Sequence, residues 1–341
     1  MIILSVETSC DETASALVED GIREIASVVA SSKEFHEKTG GIVPEVAARK
    51  QVEFVVPVID GVLNKFIEKK GFSSKKDADK HIDGIAVTVG PGLIGSLIVG
   101  VEAAKALSLA WNKPVVPVNH LVGHIYANFV DNPKSIEFPA VVLVVSGGHT
   151  DLILMKGHGS FEYLGGTLDD AAGEAFDKTA RLLGLSKYLG GAQLSQKASE
   201  CKNNFIEGKL PRPMIREENF DFSFSGLKTA VRRLVEKEAL PVEVVAREFE
   251  NAVVDVLVAK TIRAAKKFKV RSILLGGGVS ANQLLRNRIE VEGTDFSVYI
   301  PKPQLCTDNG VYIASAAYFN FRPVKLEKLN ANPSLTIMDR V

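Results

Sequence analysis

His120-Leu-Val-Gly-His124 sets two imidazoles four residues apart. On a helix that spacing places both rings on one face, close enough to share a single cation. Position 121 is Leu121, where the zinc-peptidase helix motif has glutamate, so a peptidase would need its general base from elsewhere. A solvated or capping histidine pair is the bland alternative. A third ligand should be an oxygen or nitrogen donor distant in sequence. Asp308, in Cys306-Thr-Asp308-Asn-Gly310, is a candidate, sitting after a strand-like run at 296–301 and just before an alanine-rich helix. An aspartate there also serves as a plain N-cap, the commoner role. Two imidazoles and one carboxylate with open positions suit iron or zinc, and calcium poorly.

Glycine-rich turns form the second group. Gly276-Gly-Gly278-Val-Ser-Ala-Asn282 follows a strand and opens a helix, so backbone amides and a helix N-terminus face whatever binds. Ser146-Gly147-Gly148-His149-Thr150 and Gly90-Pro91-Gly92 are further turns at strand ends. The turn at 276–282 is neither GxGxxG nor a P-loop, since no Gly-Lys-Ser/Thr exists at the needed spacing. Asp169, Asp170, Glu174 and Asp177 open a helix, where acids favour the helix dipole, and Asp177 lies two turns in, placed to reach ribose hydroxyls. Arg212, Arg216, Lys228, Arg232 and Arg233, interleaved with Phe220, Phe222 and Phe224, could hold a nucleic-acid backbone and stack bases. An edge strand followed by an amphipathic helix fits that stretch equally well.

The elements that must position these groups repeat. Residues 2–7, 13–18 and 22–30 read as three strands joined by a polar turn at 8–12 and the hairpin signal Glu19-Asp20-Gly21. Residues 139–145, 150–155 and 160–164 repeat the pattern, followed by a helix over about 169–183. Between and after them strands alternate with helices: a strand from 83 with a helix at 93–111, a strand at 114–118 with a helix from 120, and a long amphipathic helix after 240 leading into 272–276. That alternation predicts α/β layers with largely parallel sheets. Two similar copies fit either two unrelated β-meanders, since such hairpins are common, or duplicated ribonuclease-H-like lobes facing a central nucleotide cleft, the actin-like and sugar-kinase (ASKHA) architecture. The expected lobes are 1–130 with about 305–341, and 131–304, the latter with a polar insertion at about 186–240 over the cleft.

The chain has 341 residues, 46% hydrophobic and 24% charged, with 41 basic and 41 acidic side chains. Zero net charge argues against a nucleic-acid packaging protein and leaves room for a local basic patch. The three cysteines, Cys10, Cys201 and Cys306, form no CxxC, so a reducing compartment is expected. No signal peptide precedes the first strand, and no run approaches the roughly 20 apolar residues of a membrane span. A cytoplasmic protein without a membrane is the expectation.

Together the motifs resemble the universal tRNA N6-adenosine threonylcarbamoyltransferase family, long misnamed a sialoglycoprotein endopeptidase. The matching stretches run in order through Val6-Glu-Thr-Ser-Cys-Asp-Glu-Thr13, Gly40-Gly-Ile-Val-Pro-Glu45, Thr88-Val-Gly-Pro-Gly-Leu93 and Asn119-His-Leu-Val-Gly-His124. They continue through Val145-Ser-Gly-Gly-His-Thr150, Asp169 to Lys178, Phe222-Ser-Phe-Ser-Gly-Leu-Lys228, Gly276 to Asn282 and Cys306 to Gly310. The wording around 40–45 and 169–178 resembles the bacterial and organellar branch. The resemblance implies an acyltransferase that takes threonylcarbamoyl-adenylate, modifies the adenosine 3′-adjacent to the anticodon of tRNAs reading ANN codons, and releases AMP. It implies His120, His124 and Asp308 as ligands of one Fe2+ per subunit, or of Zn2+. It also implies Val144, Val145, Ser146, Gly147, Gly148, Asp177, Gly191 and Asn282 as adenylate-binding positions. Candidate catalytic groups are His149, Glu12 and Lys178. Expected partners are tRNA, a paralogous scaffold subunit and a small ATPase.

This chain departs from the family pattern at Leu189, where proline is usual, and at Gln51, where histidine is common. No GxSxG elbow is present, which favours direct attack by the adenine amine over a covalent acyl-enzyme. The rival readings are a metal-dependent peptidase built on His120 and His124, a non-catalytic scaffold of the same fold, and a small-molecule kinase. The kinase lacks its glycine-rich phosphate loop in the turn at 8–13.

Overall fold

In chain order the computed structural model holds β1 (Ile2–Glu7), β2 (Glu12–Glu19), β3 (Arg23–Ser31), α1 (Lys33–Thr39), α2 (Pro44–Lys70), α3 (Lys75–Ala78), β4 (Gly84–Gly90), α4 (Ile94–Trp111), β5 (Val115–Asn119) and α5 (His120–Tyr126). There follow β6 (Ala140–Val145), β7 (Thr150–Gly157), β8 (Ser160–Gly166), α6 (Ala172–Leu182), α7 (Gly191–Ser199), α8 (Ser225–Lys237), α9 (Val242–Lys267), β9 (Ser272–Gly276), α10 (Gln283–Glu292), β10 (Ser297–Tyr299) and α11 (Gly310–Phe319). The structure describes residues 1–132, 135–202 and 208–341.

The chain divides into two compact units, Met1–Ser135 with Thr307–Val341, and Ile136–Cys306. In the first, the sheet order is β3-β2-β1-β4-β5, with β1 antiparallel to β2 and parallel to β4. In the second, β10-β9-β6-β7-β8 repeats that order, with β6 antiparallel to β7 and parallel to β9. Each unit therefore has a three-strand meander extended by two parallel strands, the duplicated α/β plan rather than two unrelated meanders. The central strands are buried along their length: β4 and β6 expose none of their residues, as expected for a sheet covered on both faces.

Helices close each core. In unit 1, α4 packs on β4 and α2 through Leu97, Gly100, Val101 and Ala104, while α11, buried from Gly310 through Ala317, packs on β1, β2 and α5. By length and composition alone α4 is apolar enough to cross a membrane, a test that core helices also pass, and it is the stretch nearest to such a span. In unit 2, α9 runs through the middle of the apolar cluster.

Three expectations are corrected. The stretch at 186–240, expected as a polar insertion, supplies α7 and α8, whose Leu194, Ala198, Leu227, Val231 and Leu234 join the main core of unit 2; residues 203–207 of it lie outside the described residues. Of the two readings of the stretch with Phe220, Phe222 and Phe224, base stacking fails and the packed strand-and-helix one holds, since all three are buried in that same core. The helix expected from 169 starts at Ala172. Asp169 instead caps α8: its carboxylate accepts from the Phe224 and Ser225 N–H groups at 2.8 and 3.2 Å and from the Ser223 and Ser225 hydroxyls.

Candidate metal centre and glycine turns

β5 ends at Asn119, whose side-chain oxygen accepts from the Leu121 N–H at 3.0 Å and so starts α5. His120 is therefore the first helical residue and His124 lies one turn on, their ring centroids 4.7 Å apart. Asp308 arrives from the other end of unit 1, just before α11. The cap of that helix is Asn309, which accepts from the Tyr312 N–H at 3.1 Å, so Asp308 is not the cap. Its Oδ1 accepts from the Tyr312 hydroxyl at 3.2 Å and lies 3.5 Å from His120 Nε2 and 3.6 Å from His124 Nε2. One donor atom from each of the three residues lies within 4.8 Å of the others.

The residues fit a transition metal. Donors at about 2.1 Å from a tetrahedral ion stand about 3.4 Å apart, close to the observed spacing, whereas hydrogen bonds of that length are weak. Behind the triad, the fully buried Glu7 at the end of β1 faces His120 Nδ1 at 3.1 Å. The Thr88 hydroxyl donates to the oxygen that faces His120, while the other accepts from the Ser9 N–H at 2.6 Å. A carboxylate on Nδ1 fixes the ring and leaves Nε2 to face a cation, the usual outer support of a metal-bound histidine.

The electrostatics point the same way. Burial pushes the Glu7 carboxyl up, but His120 beside it and hydrogen bonds from His120, Ser9 and Thr88 prevail and hold it below the usual range. Burial lowers His120, and Asp308 and Glu7 outweigh it, raising the imidazole to about 9. Asp308 is pushed up to about 6 by burial, against the attraction of His120, with Glu7 and Asp11 adding to the rise. Glu12 is raised to about 9 by burial, then by Asp308 and Asp11. Carboxylates crowded out of water are relieved by a cation, and the proton on His120 is what that cation must displace.

In unit 2 the turn after β6 closes on itself: the Ser146 N–H donates to the His149 carbonyl at 2.8 Å and the His149 N–H to the Ser146 hydroxyl at 3.1 Å. The Gly173 N–H, at the start of α6, donates to the Ser146 carbonyl at 3.2 Å. Gly277, at φ +87°, passes so close to Val145 that an added Cβ would stand 2.3 Å from its carbonyl oxygen. The turns at 146–149 and 276–278 and the start of α6 thus converge, with Gly147 and Gly148 exposed. Val144 and Val145 are fully buried strand residues and can meet a ligand only through their backbone.

The remaining sequence candidates are distributed as follows. Asp177 accepts from the Gly191 N–H at 2.9 Å, joining α6 to the first residue of α7. Asn282 caps α10 and donates to Ser195 Oγ at 2.9 Å and Glu250 Oε1 at 2.7 Å. Lys178 is held by Asp170 at 2.7 Å and Glu174 at 2.9 Å; these bonds, Asp170's foremost, push its ammonium above the usual range, so it is a fixed cation rather than a base. Of the three catalytic candidates, Glu12 belongs to unit 1 and His149 and Lys178 to unit 2. Arg212 is taken up by Glu248 at 2.6 Å and Asp255 at 2.9 Å, leaving Arg216, Arg232 and Arg233 exposed and Lys228 half-buried. Sequence reasoning missed Glu7, Tyr312 and Glu250; an acid ending an otherwise apolar strand was the one available sign of Glu7.

The family model described as tRNA N6-adenosine threonylcarbamoyltransferase matches residues 23–315. Curated relatives carrying that name include those of Dehalococcoides mccartyi, 49% identical with 99% of each chain covered, and of Bacillus subtilis, 48% identical over 94% of this chain and 91% of the relative. Among solved structures, HypF of T. kodakarensis is similar over 94% of this chain and 47% of its own, with a TM-score of 0.62 at 14% identity. The activator of 2-hydroxyisocaproyl-CoA dehydratase from Clostridium difficile, solved with ADPNP, covers 94% and 95% with a TM-score of 0.51 at 16% identity. These two likenesses agree with the duplicated actin-like fold. With the family model spanning most of its length and relatives near half identity end to end, this chain belongs to the tRNA N6-adenosine threonylcarbamoyltransferase family.

Proposed function

We propose that this chain transfers the threonylcarbamoyl group of threonylcarbamoyl-adenylate to N6 of the adenosine 3′-adjacent to the anticodon in tRNAs reading ANN codons, releasing AMP. What carries the reading beyond family membership is the convergence of His120, His124 and Asp308 on one point. These three would hold the ion, Fe2+ or alternatively Zn2+, with Glu7 orienting His120. When bound, the ion supplies a Lewis acid that polarises a substrate oxygen.

The chain's own residues do the rest. Backbone amides of Gly147 and Gly148 and the hydroxyl of Ser146 receive phosphate oxygens, which the start of α6 behind them favours. Asp177, Gly191 and Asn282 line the nucleoside side, and the glycines at 276–278 admit the adenylate close to the backbone. Lys178 supplies fixed positive charge. The adenine amine attacks the carbamoyl carbonyl, the bond to the phosphate oxygen breaks, and AMP leaves with the electron pair; His149 and Glu12 are the candidates for taking the amine proton. Holding both reactants in register lowers the barrier chiefly by orientation. Arg216, Lys228, Arg232 and Arg233 supply a basic face for tRNA. We place the reaction in the cytoplasm, with a paralogous scaffold subunit and a small ATPase as partners.

The test is nucleoside mass spectrometry of unmodified tRNA incubated with this protein, its partners, threonylcarbamoyl-adenylate and Fe2+. The threonylcarbamoyl nucleoside is expected with the native chain and absent with His120→Ala. A complete system that yields none with the native chain overturns the reading.

A further inference from the structure

The turn that follows β1 carries Asp11 and Glu12, and each of its carbonyls from Ser9 to Glu12 accepts a hydrogen bond. Ser9 takes the Leu93 N–H at 2.8 Å, and Asp11 takes both the N–H and the hydroxyl of Ser32 at 2.9 Å. The other two are held by one side chain. Gln51, on α2 and only 1% exposed, donates from Nε2 to the Cys10 carbonyl at 3.0 Å and to the Glu12 carbonyl at 2.8 Å. Its Oε1 accepts from the Thr13 hydroxyl at 2.6 Å. The amide orientation follows from its partners, because the flipped form would face two carbonyls with an oxygen. Gln51 is one of the two positions at which this chain departs from the family pattern. A neutral histidine there has one N–H and one acceptor nitrogen, so it cannot make all three bonds; a glutamate has no donor at all.

We propose that Gln51 is a positioning residue of the reaction centre: by pinning both flanks of Asp11 it holds the turn whose Ser9 N–H donates to Glu7 Oε1 at 2.6 Å, behind His120. The inference rests on the reading of His120, His124 and Asp308 as that centre. Gln51 touches no ligand of the ion and acts only through the turn. The held turn keeps the Glu7 carboxylate set against His120 Nδ1. Loosening the turn by a fraction of an ångström weakens that support while leaving α2 packed as before.

The test compares Gln51→Met, which keeps the shape and removes all three bonds, with Gln51→His, which restores part of them. Each full-length variant is titrated with Co2+ alone and assayed, Fe2+-loaded and with its partners, under saturating adenylate and tRNA. For Gln51→Met the Co2+ dissociation constant rises by about threefold or more. Its kcat falls about tenfold or more while KM for the adenylate stays within about twofold. Gln51→His falls between it and the native chain. A lowered melting temperature with native Co2+ affinity and native kcat makes Gln51 a packing residue and overturns the proposal. Should Gln51→Met fail to fold, the histidine variant decides by the same two readouts. His120→Ala separates the premises: if it retains Co2+, the metal reading fails, and if it loses Co2+ while both Gln51 variants match the native chain, only the present inference fails.

Discussion

His120 meets a carboxylate at each ring nitrogen, Glu7 through Nδ1 and Asp308 through Nε2. The two differ in consequence. On the proposed reading, removing Asp308 deletes a ligand, whereas Glu7→Gln keeps the shape and loses only the charge that orients and enriches the imidazole. Glu7→Gln is therefore expected to weaken metal binding about 10–100-fold, and Asp308→Ala to abolish it, as measured by competition against a chelator. A separate prediction concerns Asp151, whose carboxyl burial raises to about 6 against a hydrogen bond from Tyr163. An acid with a raised folded pKa binds its proton more tightly when folded, so its contribution falls as pH rises from about 4 through 6. Asp151→Asn should flatten the stability profile in that window, read by denaturant midpoints at pH 4 and pH 7; an unchanged slope refutes it. The histidine pair was legible because helical spacing is local. Asp308 was not decidable, since a ligand and a cap look identical in a string of letters, and only Asn309 occupying the cap separates them. Glu7 showed only as an acid at the end of an apolar strand, because its partner is 113 residues away.

At the level of elements, turn residues and periodicity revealed the ten described strands but missed α1, α2, α3 and α7, and the misreadings around 169 and 220–224 have a common cause. Asp169 was read as opening the nearest helix, yet it caps one 56 residues further on. The phenylalanines at 220, 222 and 224 lie in a polar stretch, which hid that alternate residues point into the core of unit 2. Asp169→Ala should loosen α8 and cost about 0.5–2 kcal/mol in denaturant unfolding. Leu189, the other departure from the family pattern, sits at φ +47° between Tyr188 and Gly190. A proline locked near −65° cannot take that conformation, so the turn into α7 follows a different backbone path from one built with proline. Leu189→Gly should stabilise the protein by about 1 kcal/mol and Leu189→Pro destabilise it, judged by melting temperature.

On the scale of the whole molecule, the repeated meander was the legible feature: two copies of one strand order follow from two copies of one hairpin pattern. The sequence reading missed how deeply 186–240 belongs to unit 2, because composition reports polarity and not which residues face inward. Unit 1 is assembled from both ends of the chain, and α11, contributed by the later end, is buried against β1, β2 and α5. A chain ending at Cys306 should therefore bind no metal and show a broadened, weakened unfolding transition for unit 1, followed by circular dichroism. Retention of Co2+ binding by that truncation would contradict the assignment of Asp308.

That discontinuity has a consequence for biosynthesis. His120 and His124 leave the ribosome before any of unit 2, and Asp308 leaves after all of it. At roughly 5–20 residues per second, the nascent chain spends about ten to forty seconds with the two imidazoles exposed and the carboxylate not yet made. On the proposed reading of the triad, its three donors can meet on one ion only once Asp308 has been made, and fragments short of it hold an incomplete site.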